Sequence, residues 1–409
     1  MKCRFCNNEL KHVFLDLGYS PPSNAFLNLK QLNEPEIHYP LRVFVCEKCY
    51  LVQSSTTHNS SEIFNKDYVY YSSYSKNWLS QSKKYTEYMI NRFHLSSESF
   101  VLEVASNDGY LLQYFANSGI PVLGIEPSSG PAEIALSKGI PTEITFFGSA
   151  CAKKLKAKGV QSDLIVANNV IAHIPDINDF VSGFKYVLKE EGIITLEFQH
   201  LVNIISEIQF DTIYHEHYYY HSLITLNKIF LKNDLEIFDI QCLTSHGGSL
   251  RVFAKNKSNK TYAATERFKK LLKKEEQIGI NRLEYYQGFQ LRVNDIKNKL
   301  LAFLITTKNN NHSVIGYGAA AKGNTLINYC GIKKDLLNYV VDASPHKVGL
   351  FLPASHIPVY DRSMITKTKP DYVLILPWNL KDEIMTEHSY IEEWGGKFVI
   401  AIPDLTVLN

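Results

Sequence analysis

The stretch Val101-Leu-Glu-Val-Ala-Ser-Asn-Asp-Gly-Tyr110 constrains the fold of this chain more than any other. Four mostly apolar residues precede a small polar turn with one glycine, and Leu111-Leu-Gln-Tyr-Phe115 opens an amphipathic run. That pattern reads as a buried strand, a tight turn and a helix, which sets a ligand at the carboxyl end of a parallel strand and the amino end of a helix. A second strand, Pro121-Val-Leu-Gly-Ile125, ends in Glu126. An acid at that offset can accept hydrogen bonds from two ribose hydroxyls. The design recurs in Ser313-Val-Ile-Gly-Tyr-Gly-Ala-Ala-Ala-Lys-Gly-Asn324, where Gly316, Gly318 and Ala321 match G-x-G-x-x-[GA], followed by Tyr339-Val-Val-Asp342. Strands expected at 100–105, 122–125, 163–167 and 192–198 alternate with helices near 109–117, 130–138, 149–158 and 176–189. This alternation predicts a doubly wound parallel sheet. A polar helical stretch, 264–308, connects the two units.

At 409 residues the chain is long enough for two or three domains. A net charge of +2 argues against a polyanion-binding surface, and so against nucleic acid as a partner. No apolar run reaches about 18 residues, so no membrane span is expected. The start, Met1-Lys-Cys-Arg-Phe-Cys6, has no apolar leader, and the expected location is the cytoplasm. Four of the seven cysteines form two knuckles, Cys3-x2-Cys6 and Cys46-x2-Cys49. Four thiolates satisfy tetrahedral zinc and leave no open position, so the site is read as structural zinc. The segment between them, including Leu15-Asp-Leu-Gly-Tyr-Ser-Pro-Pro-Ser-Asn-Ala-Phe26, is neither basic nor a finger helix.

The first turn offers one glycine where a pyrophosphate would want several. S-adenosylmethionine (SAM) fits it better, with its ribose on Glu126 and its methionine over the turn at Gly109. Glu103 would attract a cationic ligand. The second unit, with its glycines and Lys322, suits a diphosphate. Asp163-Leu-Ile-Val-Ala-Asn-Asn-Val170 ends in two amides, and His173 follows. Phe210-Asp-Thr-Ile-Tyr-His-Glu-His-Tyr-Tyr-Tyr-His221 concentrates histidine, tyrosine and glutamate. As extended chain it would place His215 and His217 on one face, with Tyr214 and Glu216 on the other. Acid–base chemistry is the leading reading; a second metal site from His215, His217 and His221, or a structural cluster, are the alternatives. His246-Gly-Gly-Ser-Leu-Arg251 is either a backbone cradle for a ligand or a plain hairpin turn.

Taken jointly, the paired CxxC knuckles, Ala105-Ser-Asn-Asp-Gly-Tyr-Leu-Leu112, Gly124-Ile-Glu-Pro-Ser128, Asn168-Asn-Val-Ile-Ala-His-Ile-Pro175, Tyr214-His-Glu-His217, His246-Gly-Gly-Ser-Leu-Arg251 and the 316–324 turn resemble the three-domain sugar C-methyltransferases that act on nucleotide-linked keto-deoxysugars. The resemblance implies an α/β fold: a zinc-binding domain (1–70), a Rossmann-like SAM methyltransferase domain (71–290) and a second Rossmann-like domain (291–409) that helps bind the nucleotide sugar. It implies that His217 is the general base, with Tyr214, Glu216, His173 and Tyr70 or Tyr71 in the active site. SAM would meet Glu103, Ala105, Ser106, Asn107, Asp108, Gly109, Glu126, Pro127, Asn168, Asn169 and Val170. The sugar nucleotide would meet His246, Gly247, Arg251, Gly318, Lys322 and Asn324. Cys3, Cys6, Cys46 and Cys49 would hold zinc. The reaction expected is methylation at C3, α to the keto group of a 4-keto sugar. A monomer is compatible with three internal domains. The competing readings are an NAD-dependent sugar-nucleotide oxidoreductase or epimerase built on 316–342, and a zinc-ribbon nucleic-acid-binding protein.

Overall fold

The computed structural model of the chain describes residues 1–55 and 71–408. Tyr70, one of the expected active-site residues, lies outside them. Three sheets organise the described residues. At the N-terminus His12–Ser20 (β1), Tyr39–Val45 (β2) and Val52–Ser54 (β3) pair antiparallel, with Leu15, Val43 and Val45 facing inward.

The central sheet begins with Val101–Val104 (β4), Val122–Ile125 (β5), Thr142–Glu143 (β6), Ser162–Asn168 (β7) and Leu188–Gln199 (β8). Tyr219–Tyr220 (β9) leaves this unit and pairs with β3, which stitches the first sheet to the second. Leu235–Leu243 (β10) and Ser249–Asn256 (β11) complete the central sheet. Its order is β10-β11-β8-β7-β4-β5-β6, with β11 antiparallel to both neighbours and the β4–β8 core parallel. The expected sheet is therefore present but mixed, because a hairpin adds β11 beside β8 instead of a further crossover. All four residues of β4 are buried, as a strand covered on both faces requires.

The helices start where their chemistry allows. In Ile177–Val187, the Asp176 carboxylate caps the amides of Asn178 and Asp179 at 3.0 Å, and Ile177, Phe180, Val181 and Phe184 form the buried face. In Lys76–Phe93, the Ser75 hydroxyl accepts from the Trp78 amide at 3.2 Å.

The third sheet runs through Val314–Tyr317 (β12), Val340–Asp342 (β13), Val359–Asp361 (β14), Tyr372–Ile375 (β15), Lys397–Ile400 (β16) and Thr406–Leu408 (β17), in the order β14-β13-β12-β15-β16-β17. The cores cross between sheets. Cys3, Phe5 and Cys49 share one apolar cluster with Phe230 and Phe180 of the central unit. On the other side Phe14 stacks on Phe289 at 4.7 Å in a cluster that reaches Leu326 and Leu374 of the third sheet. Burying one such phenylalanine contributes about 2 kcal/mol, so these shared clusters fix the units against one another.

Candidate active site

A cavity of about 650 Å³ opens where the three units meet, within the range of small-molecule sites. Its floor is the turn after β4. Ala105, Asn107 and Gly109 alternate into positive φ (58°, 50° and 73°), a strained backbone for the first two. Glu126 tethers the turn: its carboxylate accepts from the amides of Asn107 at 3.0 Å and Ser128 at 2.8 Å. Burial nevertheless pushes the Glu126 carboxyl above its ordinary range. Ala105, Asn107, Glu126, Pro127, Asn168, Asn169 and Val170 all line the cavity. Glu103, Ser106, Asp108 and Gly109 stand behind this wall instead. Asp108 accepts from the Ser73 amide and faces Lys138, and a Cβ on Gly109 would press on Ile140. The Phe146 and Phe147 rings add an apolar wall that the spacing of motifs did not signal.

One feature of this floor fits a donor-bearing ligand such as SAM: Asn168 Oδ1 is buried in the cavity wall without a hydrogen-bond partner and can accept from a ligand N–H. Behind the wall, burial drives the Glu103 carboxyl well above its ordinary value, with the Tyr110 hydroxyl pulling the other way.

Opposite the floor, residues 213–218 form a turn closed by the His217 amide donating to the Tyr214 carbonyl at 2.9 Å. The chain is not extended here, so the residues are not divided by alternation between two faces. The turn brings Tyr214, Glu216 and His217 to the same cavity wall, and sends His215 to the Tyr39 carbonyl at 3.2 Å. His217 Nδ1 donates to the Thr212 carbonyl at 2.9 Å, which leaves the lone pair on Nε2. Burial, then the neighbouring His173, hold His217 well below 6.5. The Tyr214 ring lies 4.0 Å from the His217 ring, and that of His173 lies 4.7 Å from it. His173 Nδ1 donates to the Glu216 carbonyl at 2.9 Å, and burial lowers its pKa to about 4. A neutral His173 of this tautomer carries no proton on Nε2 to donate to a substrate oxygen. Burial raises the Glu216 carboxyl to about 7, against a 2.7 Å hydrogen bond donated by the Asn24 amide.

The third unit lends Lys322 and Lys347 to the cavity. Lys322 Nζ donates to Asn379 Oδ1 at 2.7 Å and lies 4.8 Å over the Trp378 ring. His246, at φ 53° in the β10–β11 hairpin, also reaches the cavity, where Asn169 Nδ2 lies 3.4 Å from its Nε2.

Other expected site residues are engaged elsewhere. Arg251 is taken up by Glu197 at 2.7 Å and Gln241 at 3.1 Å. Asn324 donates to the Ser23 carbonyl at 2.6 Å. Gly247 makes room for Trp378, and Gly318, at φ 89°, for Pro377: a Cβ on each would fall 2.4 and 2.5 Å from those rings. Asp342, the acid expected to hold a ribose, accepts from the amides of Ala319 at 2.6 Å and Ser344 at 2.7 Å. Asp342 thus tethers the second turn as Glu126 tethers the first, and Pro377 packs against its Gly318. Tyr71 packs on His346, with ring centroids 5.7 Å apart, and is absent from the cavity wall.

At the far end, the four cysteine sulfurs lie within 4.8 Å of one another, with Cys3–Cys49 and Cys6–Cys46 both at 3.6 Å. A tetrahedron with zinc–sulfur bonds of about 2.3 Å has edges of about 3.8 Å, so the set fits the ion. Hydrogen bonds from its neighbours lower Cys3 to about 3 and push Cys49 up: thiols this close cannot all ionise without a cation. Among the described residues no other group of His, Cys, Asp and Glu is placed to hold a metal, and His215, His217 and His221 do not converge as one.

Family models match three consecutive stretches: a zinc binding domain over residues 3–64, a methyltransferase domain over 81–240 and a C-methyltransferase C-terminal domain over 244–403. C-methyltransferase NovU of Streptomyces niveus is 28% identical over 408 residues, spanning 100% of this chain and 97% of NovU. The ubiquinone biosynthesis O-methyltransferase of Bartonella quintana is 24% identical over 94 residues, covering 23% of this chain and 38% of that protein. Magnesium protoporphyrin IX methyltransferase (ChlM) of Synechocystis PCC 6803, solved with bound SAM, aligns at 15% identity with a TM-score of 0.33, over 43% of this chain and 78% of that one. The sheet, the turn at its centre and the matched domains define a SAM-dependent methyltransferase. With a zinc-binding domain before the methyltransferase domain and a C-methyltransferase C-terminal domain after it, the chain is similar over its whole length to three-domain C-methyltransferases.

Proposed function

We propose that this C-methyltransferase methylates the carbon α to the keto group, C3, of a nucleotide-linked 4-keto-deoxysugar, in the cytoplasm. The domain division at residues 70 and 290 belongs to the same reading. The observation that supports it best is the state of His217: buried in the cavity, neutral, with its free lone pair on Nε2 because Nδ1 donates to Thr212. Carbon is methylated only once it carries electron density, and a C–H beside a ketone is acidic enough when the developing oxyanion is stabilised.

His217 Nε2 removes the C3 proton, and the electron pair moves into the enolate. The Tyr214 hydroxyl, on the ring beside that of His217, donates to the enolate oxygen. His173 is less suited to that role, because its Nδ1 proton is committed to the Glu216 carbonyl and its pKa is about 4. Glu216 orients a sugar hydroxyl. Glu126, Asn168 and Asn169 orient the nucleoside and amino-acid ends of SAM on the floor. SAM supplies an electrophilic methyl group. Lys322 and Lys347 face the nucleotide's phosphates from the third unit, and the positioning of two ligands across one cavity contributes the effective-concentration advantage. NovU, similar over the whole chain, is named a C-methyltransferase, in keeping with this chemistry.

The test is mass spectrometry of reactions with SAM and a panel of dTDP-, CDP- and GDP-linked 4-keto-deoxysugars. One added methyl on one of these sugars is expected. Failure to methylate any of them, by enzyme that binds SAM, would overturn the substrate assignment.

A further inference from the structure

The residue that holds Glu216 comes from the zinc-binding unit. After β1 the chain passes through Pro21 and Pro22, turns with the Ala25 amide donating to the Pro22 carbonyl at 3.0 Å, and crosses to the third unit. There Asn324 Nδ2 donates to the Ser23 carbonyl at 2.6 Å, and the Ser23 and Thr325 hydroxyls lie 3.3 Å apart. Leu27 and Phe351 exchange backbone hydrogen bonds at 3.0 and 2.8 Å. Thr325 also donates to the Ile213 carbonyl at 3.3 Å, at the entry to the turn that carries Glu216 and His217. At the apex of this strap Asn24 lines the cavity, and its Nδ2 donates to Glu216 Oε1 at 2.7 Å.

We propose that the zinc-binding domain completes the active site: residues 20–27 are a strap that delivers Asn24 as a positioning residue, fixing the Glu216 carboxyl against the substrate. This rests on the function proposed above. The four-cysteine site is closed to chemistry, yet it anchors the sheet from which the strap departs. Zinc thereby acts on catalysis at a distance, through a hydrogen bond. Asn324, at a position that resembles a ligand-binding motif, serves as the far anchor.

The geometry has an electrostatic consequence. A donor on Oε1 favours the carboxylate, while burial favours the acid. The other titratable groups lining the same cavity are Tyr110, Glu126, His173, Asp176, Asp179, Tyr214, His217, Tyr219, Tyr220, His221 and His246 from the central unit and Lys322 and Lys347 from the third. Removing the Asn24 amide leaves burial unopposed, so the Glu216 carboxyl then titrates at higher pH than in the wild type.

Asn24→Ala in the full-length zinc-loaded enzyme tests this. Zinc content and SAM affinity should stay as in the wild type, and turnover of the keto sugar should fall roughly 10- to 100-fold. The carboxylic C=O infrared band that Glu216→Gln abolishes should persist to higher pH. Added to Glu216→Gln, Asn24→Ala should slow turnover no further. Asn324→Ala, which loosens the anchor and leaves Asn24 in place, should move both readouts in the same direction. The proposal is overturned if Asn24→Ala leaves the infrared titration unmoved, or if its full loss adds to that of Glu216→Gln. If the wild type methylates no keto sugar, the substrate assignment fails, and the infrared titration still decides the strap.

Discussion

His217 carries the account at the level of single residues. Its tautomer is fixed by Thr212, and its neutrality by burial. His217→Asn should bind SAM as the wild type does, measured by calorimetry, and lose turnover by roughly 10²- to 10⁴-fold, the usual share of a general base. Glu216 makes a separate prediction about stability. Its folded-state pKa, about 7, lies above the ordinary 4.5. A buried acid of this kind binds its proton more tightly folded than unfolded, so the wild type loses stability as pH rises from 4.5 through 7. The gap is worth about 3 kcal/mol at most. Glu216→Gln should therefore raise the melting temperature at pH 8 and leave it nearly unchanged at pH 4, by differential scanning calorimetry. An equal effect at both pH values would contradict a raised Glu216.

Turns, more than strands and helices, separate what the motifs announce from what they do. The strand expected at 122–125 and the helix at 130–138 lie within a residue of those observed, because each rests on local apolar patterning. The 213–218 segment misleads by the same logic: its alternation of histidine with tyrosine and glutamate has the period of a strand. The hydrogen bond that folds it into a turn leaves no periodic trace. The second glycine-rich turn carries a packing role that its spacing does not show. Its glycines have the spacing of a phosphate cradle, yet Gly318 is needed for the close approach of Pro377. Gly318→Ala should cost roughly 2–3 kcal/mol, from the left-handed backbone and the collision together, in denaturant unfolding. A stability loss within 0.5 kcal/mol of zero, the range of an ordinary surface substitution, would contradict this packing role.

For the molecule as a whole, the zinc set and the three-unit order were legible because each is written in short local motifs along the chain. The meeting of the units was not. Asn24 reaches Glu216, and Asn324 reaches Ser23, across separations that no spacing encodes. Trp378 donates to Asp211 at 2.8 Å over Gly247, and so closes the third unit on the second. Arg251 ends in a buried ion pair with Glu197, the residue directly opposite it on the neighbouring strand β8. Apolar clusters shared between all three units make one cavity from three domains, the arrangement that carrying two ligands to one reaction requires. Among the described residues no helix is long and apolar enough to cross a membrane.

The central claim is that His217 converts a keto sugar to its enolate beside SAM. Proton exchange tests it without methyl transfer. A nucleotide-linked 4-keto-deoxysugar is incubated in heavy water with the enzyme and S-adenosylhomocysteine, and the C3 proton is followed by NMR. The signal should disappear with the wild type and persist with His217→Asn. Persistence with the wild type, or equal loss with both proteins, would contradict it.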